Sequence, residues 1–278
     1  PAELSEAQAL APKVDAGEIQ LWKDTLHRYL SGALGLLMFR LMYLGWELKK
    51  YQRRQQIWLP ALVFVVVYTQ VFLSLLTHKL AFQPLVVMSQ LMLGLAALGL
   101  LWWVVLREQR IFRPAVEASA TVLAALRPRA MIALMLVIAQ IVLGAWVSVN
   151  LSALACPDFP TCRQGIYWPD MDFADCFILW RDLSLDYDGR LLNLSAATAI
   201  HMAHRVGAVI TLLYTGWLAL HTIRIGGQGN LCRYGLLLLA VLLAQTALGV
   251  ALVVAHLPLV LAVAHHALAA LMLVTLIT

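Results

Sequence analysis

Eight histidines occur in this chain, and their side chains are the ones best suited to hold a metal or move a proton. Three of them, His27, His204 and His265, stand within long apolar runs, where an ionisable group is costly and is read as functional by default. Imidazoles from facing helices of a four-helix unit are the usual holders of haem iron, which makes His204 and His265 a candidate axial pair. The competing structural reading has each histidine hydrogen-bonded to a neighbouring helix backbone. Against it, His27-Arg28 followed by Gly32 and Gly35 is echoed by His204-Arg205 followed by Gly207. A partner for His27 is expected in the third apolar run, which carries Gln90 and no histidine. Glutamine is a poor iron ligand. One reading therefore leaves His27 alone with an open coordination position, which suits turnover better than electron transfer; the other has Gln90 bonding across helices.

Charged neighbours extend these positions. Asp24 precedes His27 by one turn, and its counterpart in the second copy is His201. A carboxylate there can move protons or stabilise a developing cation, or simply cap the helix and favour its dipole. Arg28 and Arg205 can fork onto the propionates of a haem or snorkel to lipid headgroups; Arg40, near the inner end of its run, reads as snorkelling. Cys156-Pro-Asp-Phe-Pro-Thr-Cys162 fits a small disulfide loop better than a zinc site, which wants closer-spaced pairs. Cys176 and Cys232 are expected as free thiols. His78, His221 and His256 fall at the ends of apolar runs, and whether His265 or the adjacent His266 faces inward stays open.

The elements that position these residues follow from composition. Of 278 residues, 62% are hydrophobic and only 13% charged, against roughly 25% charged in a soluble domain. A water-soluble globule is excluded. Apolar windows fall at 26–46, 57–77, 84–106, 130–150, 197–221, 234–255 and 257–278, each long enough to cross a bilayer, which takes about 20 residues. The polar start does not resemble a cleavable signal. Arginine and lysine gather after the first, third and fifth windows, so by the positive-inside rule those loops are cytoplasmic. The net charge of +5 then separates into basic inner loops and acidic outer ones, facing anionic inner lipid rather than nucleic acid. The connection 151–196 exceeds ordinary loop lengths and reads as functional; its Trp168, Phe173, Phe177 and Trp180 suggest a cap on the outer surface. No phosphate-cradling loop or nucleophile elbow is present.

A repeat organises the windows. The second, fourth and sixth contain Gln70 with Ser74, Gln140 with Gly144, and Gln245 with Gly249, each pair four residues apart and so on one helix face. With the His-Arg copies, this predicts an all-α membrane protein of two pseudosymmetric four-helix bundles, seven of whose eight transmembrane helices are present. The expected parts are an outer segment 1–25, an N-terminal half-bundle 26–106, a cytoplasmic linker 107–129, and a C-terminal bundle 130–278.

Four ordered motifs then resemble the bacterial haem A synthase family: Cys156-Pro-Asp-Phe-Pro-Thr-Cys162, Trp168-Pro-Asp-Met-Asp-Phe173, Ala199-Ile-His-Met-Ala-His-Arg205 and Ala262-Val-Ala-His-His266. The segment Trp22-Lys-Asp-Thr-Leu-His-Arg28 is similar to the family's Glu-x-x-His-Arg. The resemblance covers nearly the whole chain. It implies an oxidoreductase that converts a ring methyl of haem O to the formyl group of haem A. His204 and His265 then bind a haem b that relays electrons, and His27 belongs with the substrate haem O. Asp24 stands where the family has glutamate, Gln90 where it has histidine, and Cys156 with Cys162 match its C-terminal disulfide. The implied setting is the bacterial plasma membrane, with outer loops periplasmic or extracellular. The resemblance leaves open contact with haem O synthase, terminal-oxidase assembly factors and a second copy of the chain. Two other functions compete: a di-haem b-type electron carrier, which Gln90 disfavours, and a non-catalytic haem-handling protein.

Overall fold

The structure is a computed structural model that describes residues 16–51, 58–79, 83–108, 120–180 and 192–278. Among the described residues seven helices follow in order: α1 (Ala16–Tyr51), α2 (Trp58–Lys79), α3 (Pro84–Glu108), α4 (Ala120–Val149), α5 (Leu194–Gly226), α6 (Asn230–Val254) and α7 (Leu259–Ile277). Among the described residues there is no strand, only an isolated bridge between Arg163 and Ile166. Each apolar window corresponds to one helix. α2 to α7 are long and apolar enough to cross a membrane. The chain is a multi-pass all-α membrane protein, and in such a setting helices satisfy their own backbone groups where lipid cannot.

Helix ends differ from the apolar windows where polar residues continue the helix. α1 begins at Ala16, inside the stretch expected as a polar outer segment. α4 begins at Ala120 and carries Pro128 within it. Hydropathy ends at the Arg127-Pro128-Arg129 triplet, whereas the backbone helix runs through it; Pro128 lies inside the helix and removes one donor from its hydrogen-bond ladder. At α5 the cap is local and specific: Asn193 Oδ1 accepts the Ala196 N–H at 2.7 Å, the role favoured for Asn at this position.

Two compact units are present, Pro1–Val71 and Phe72–Thr278. In the second, α4 packs on α5, α5 on α6, α6 on α7, and α7 back on α4, so the four helices close a ring in which α5 and α7 lie on one diagonal and α4 and α6 on the other. α3 lies against α4 and α7, with Trp102 Nε1 donating to Thr278 Oγ1 at 3.0 Å. Val137, Ala219, Leu238, Val241, Leu242 and Met272, one or more from each ring helix, form the bundle core. Gly235 permits the α5–α6 approach: a Cβ there would lie 2.9 Å from the Ala219 carbonyl oxygen. Close packing at small residues is how helices associate where lipid is as apolar as the side chains.

A turn of left-handed backbone at His256 (φ 58°) and Leu257 (φ 63°) joins α6 to α7. It is held by His256 N–H to Val253 O at 3.0 Å and Leu257 N–H to Leu252 O at 2.8 Å. Pro258 then caps α7.

Candidate functional site

Two imidazoles project into the ring from its α5–α7 diagonal. On α5, His204 meets α4: Gln140 Nε2 lies 3.0 Å from His204 Nδ1 and donates to the His204 backbone carbonyl at 2.9 Å. A Cβ at Gly144, one turn after Gln140, would come within 3.0 Å of His204 Cε1, and one at Gly207 would strike Gln140 Oε1. On α7, His265 meets α6 in the same manner. Gln245 Nε2 lies 3.3 Å from His265 Nε2, and a Cβ at Gly249 would approach His265 Cε1 to 3.1 Å. His266 is exposed while His265 is half-buried, which decides which of the adjacent pair faces inward.

Three polar atoms in this layer are buried without a hydrogen-bond partner: Gln140 Oε1, Gln245 Oε1 and His265 Nδ1. Buried polar atoms are nearly always paired, so each unpaired one needs an explanation. The donor set is two imidazoles from diagonal helices, with glycine rather than a bulky side chain facing each ring. No group of three or more His, Cys, Asp or Glu that could hold a bare metal ion occurs among the described residues. Two nitrogen donors with no carboxylate or thiolate beside them fit a haem, whose macrocycle already supplies four ligands, better than a naked cation, which needs several protein ligands.

Toward its N-terminal end, α5 grips the loop that joins it to α4. Cys156 and Cys162 form the expected disulfide, their Cα atoms 4.3 Å apart. Buried His201 accepts the Cys156 N–H through Nδ1 at 3.3 Å. Arg205 donates to three loop carbonyls: Thr161 at 2.9 Å, Cys156 at 2.9 Å and Asp158 at 2.7 Å. Its guanidinium also lies 5.8 Å from the Phe159 ring centroid. His201 and Arg205 are one turn apart and share a helix face, whereas His204 turns toward α4. A single stretch of α5 thus serves the loop with one face and the bundle with another. A propionate at Arg205 would have to share it with these carbonyls.

Farther along the loop, Trp146 Nε1 donates to Cys176 O at 2.8 Å, and Trp146 stacks with Phe177 at 6.3 Å. Cys176 and Cys232 are free thiols, as expected. Burial pushes the Cys176 thiol above its ordinary range, with Asp172 and Asp175 adding to the effect against a backbone hydrogen bond that lowers it. The thiol therefore stays neutral near pH 7, an inert buried group rather than a reactive one. Trp168, Phe173, Phe177 and Trp180, the aromatic residues of the expected cap, are exposed.

The remaining predicted positions are more scattered. Asp24, His27 and Arg28 fall on α1, but their side chains lie outside the described residues. Gln90 is half-buried on α3 and has interactions of its own. His221 stacks on Trp217 at 5.6 Å, a role at the far end of α5. There a cavity of about 510 Å³ opens between the start of α4, the end of α5, the start of α6 and the end of α7; neither His204 nor His265 lines it. The loop-holding roles of His201 and Arg205 escaped the sequence reading, although their spacing of four was visible.

This is a multi-pass helical membrane protein whose four-helix ring carries a diagonal histidine pair beside a disulfide-closed loop between α4 and α5. A family model described as "Cytochrome oxidase assembly protein" (COX15-CtaA) matches residues 3–277. The heme A synthase of Shewanella oneidensis is 36% identical over 277 residues, covering 99% of this chain and 80% of that protein. The chain belongs to the haem A synthase family.

Proposed function

We propose that this chain is a haem A synthase, an oxidoreductase that converts a methyl group of haem O to the formyl group of haem A, with a haem b held by His204 and His265 relaying electrons. The observation that carries this reading is the diagonal pair itself: two imidazoles, each set against a glycine and a glutamine, in a layer with orphaned polar atoms. The name of the Shewanella protein supports the substrate. Haem b bound at this pair supplies reversible one-electron chemistry. The chain's own contribution is to present the two ring nitrogens and to exclude water, since the bundle wall is apolar and the outer end is closed by the loop that His201 and Arg205 hold.

On the substrate side, His27 is the assigned contact to haem O, Asp24 the carboxylate that receives or stabilises positive charge, and Arg28 a propionate partner. Gln90 stands where the family has a histidine, so substrate ligation rests on His27. Outer loops are assigned to the periplasmic or extracellular side of a bacterial plasma membrane. Haem O synthase and terminal-oxidase assembly factors are the proposed partners.

Pigment extraction tests the reading. Cells that make haem O and express this chain should yield haem A or a hydroxylated intermediate that is absent without it. Recovery of haem O and haem b alone would overturn the assignment. Gln90→His, compared for product yield, measures what the missing imidazole costs.

A further inference from the structure

The repeated Gln-x-x-x-Gly motif is not used by the chemistry above, yet in both copies it meets a histidine of the following helix. Gln140 with Gly144 takes His204, and Gln245 with Gly249 takes His265. The glycine has a plain role. At 3.0 and 3.1 Å a Cβ would press on Cε1 of each ring, so a residue without one lets the imidazole approach the neighbouring helix without being displaced.

The glutamine is less simple. If its only task were to staple two helices, its amide would be saturated by fixed partners. Instead each Oε1 is buried and unpaired. The Gln140 amide nitrogen lies 3.0 Å from His204 Nδ1 and 3.5 Å from its Nε2, whereas that of Gln245 faces His265 Nε2 at 3.3 Å, with His265 Nδ1 left unpaired. A neutral imidazole that gives one nitrogen's lone pair to iron carries its proton on the other nitrogen. That N–H needs an acceptor, and the acceptor fixes both the tautomer and the ring rotation. An amide in contact with the ring, with its oxygen unspent, can supply one by rotation.

We propose that Gln140 and Gln245 are positioning residues for the histidine pair, their unpaired Oε1 atoms serving as acceptors for the ring N–H of His204 and His265 when these ligate iron. The proposal rests on the haem reading of that pair. It makes the motif a repeated ligand cradle, in which the glycine gives the ring room and the glutamine sets its protonation and rotation.

Substitution by leucine and by glutamate separates this role from a structural one. Gln140→Leu keeps bulk and loses both donor and acceptor. Gln140→Glu loses the donor that holds the His204 carbonyl but keeps an acceptor. In the full chain purified with its haem, Gln140→Leu is expected to speed haem loss to apomyoglobin about tenfold, the low end for metal ligands that lose a hydrogen-bond partner. It should also shift the haem midpoint potential upward, because a ligand without an N–H acceptor is a weaker donor. Gln140→Glu should retain haem as the unsubstituted chain does. Gln245→Leu and Gln245→Glu repeat the test at a site with no backbone staple. Equal loss in the leucine and glutamate variants, or leucine variants with unchanged retention and potential, would overturn the proposal. An unsubstituted chain that binds no low-spin haem, or haem that survives both His204→Ala and His265→Ala, would instead overturn the haem reading beneath it.

Discussion

The α4–α5 and α6–α7 pairs carry the same motif and hold their histidines with different firmness. Gln140 reaches both the His204 ring and its backbone carbonyl, at 3.0 and 2.9 Å, and α5 is further tied to the outer loop by His201 and Arg205. Gln245 makes one longer contact, 3.3 Å, to His265, whose other nitrogen has no partner. α7 enters from a strained turn rather than from a clamped loop. Two helix pairs with the same motif therefore present imidazoles in different settings, one held at its ring and its backbone and one by a single longer contact. On the proposed haem reading, His204 would define the position of the group and His265 would accommodate it.

The largest expected effect tests whether both members are needed. His204→Ala and His265→Ala should each abolish the low-spin haem spectrum, because a single axial ligand leaves iron high-spin or unbound; absorption spectroscopy of the purified variants reads this. Next come the glycines. Gly144→Ala and Gly249→Ala insert a methyl group into nearly the same gap, and overpacking of this kind typically costs about 1–3 kcal/mol. Because His204 is pinned on two sides, Gly144→Ala is expected to lower haem occupancy more than Gly249→Ala, and the reverse order would erase the distinction between firm and adjustable ligands.

Releasing the loop should weaken the firm side selectively. Cys156→Ser with Cys162→Ser removes a short cross-link worth about 2 kcal/mol on chain-entropy grounds, and thermal unfolding monitored by tryptophan fluorescence should register it. Cys176 adds a pH-dependent contribution of known sign. Its folded-state pKa is raised by burial, so its stabilisation is complete below the ordinary thiol range and is lost as pH rises through that range toward the raised value. Alkaline unfolding of the native chain should therefore be steeper than that of Cys176→Ala. The smallest effect belongs to the adjustable side. Leu257→Gly relieves a left-handed residue and should raise stability by up to about 1 kcal/mol, which denaturant titration can resolve.

Much of this arrangement was legible in the residues. Long apolar runs announced the helices, and the spacing of Gln140 with Gly144 and of Gln245 with Gly249 announced a repeated inward face, because one turn of helix brings such residues together. The two-proline spacing of Cys156 and Cys162 suited their disulfide. Helix ends were less legible: hydropathy reports lipid contact, whereas Arg127, Pro128 and Arg129 can be helical without it. The choice between His265 and His266 also escaped, since adjacent residues differ only by rotation and the left-handed turn at His256 and Leu257 sets the phase of α7. Arg205 was readable as a partner for a haem propionate or a cation snorkelling to lipid headgroups, but its three carbonyl partners come from a loop distant in sequence.

Low-temperature electron paramagnetic resonance of the oxidised, purified full-length protein tests the central claim most directly. A haem held by His204 and His265 should give a low-spin ferric signal typical of two imidazole ligands, lost in either alanine variant. A purely high-spin signal from the unsubstituted protein, or a low-spin signal that persists in both variants, would contradict it.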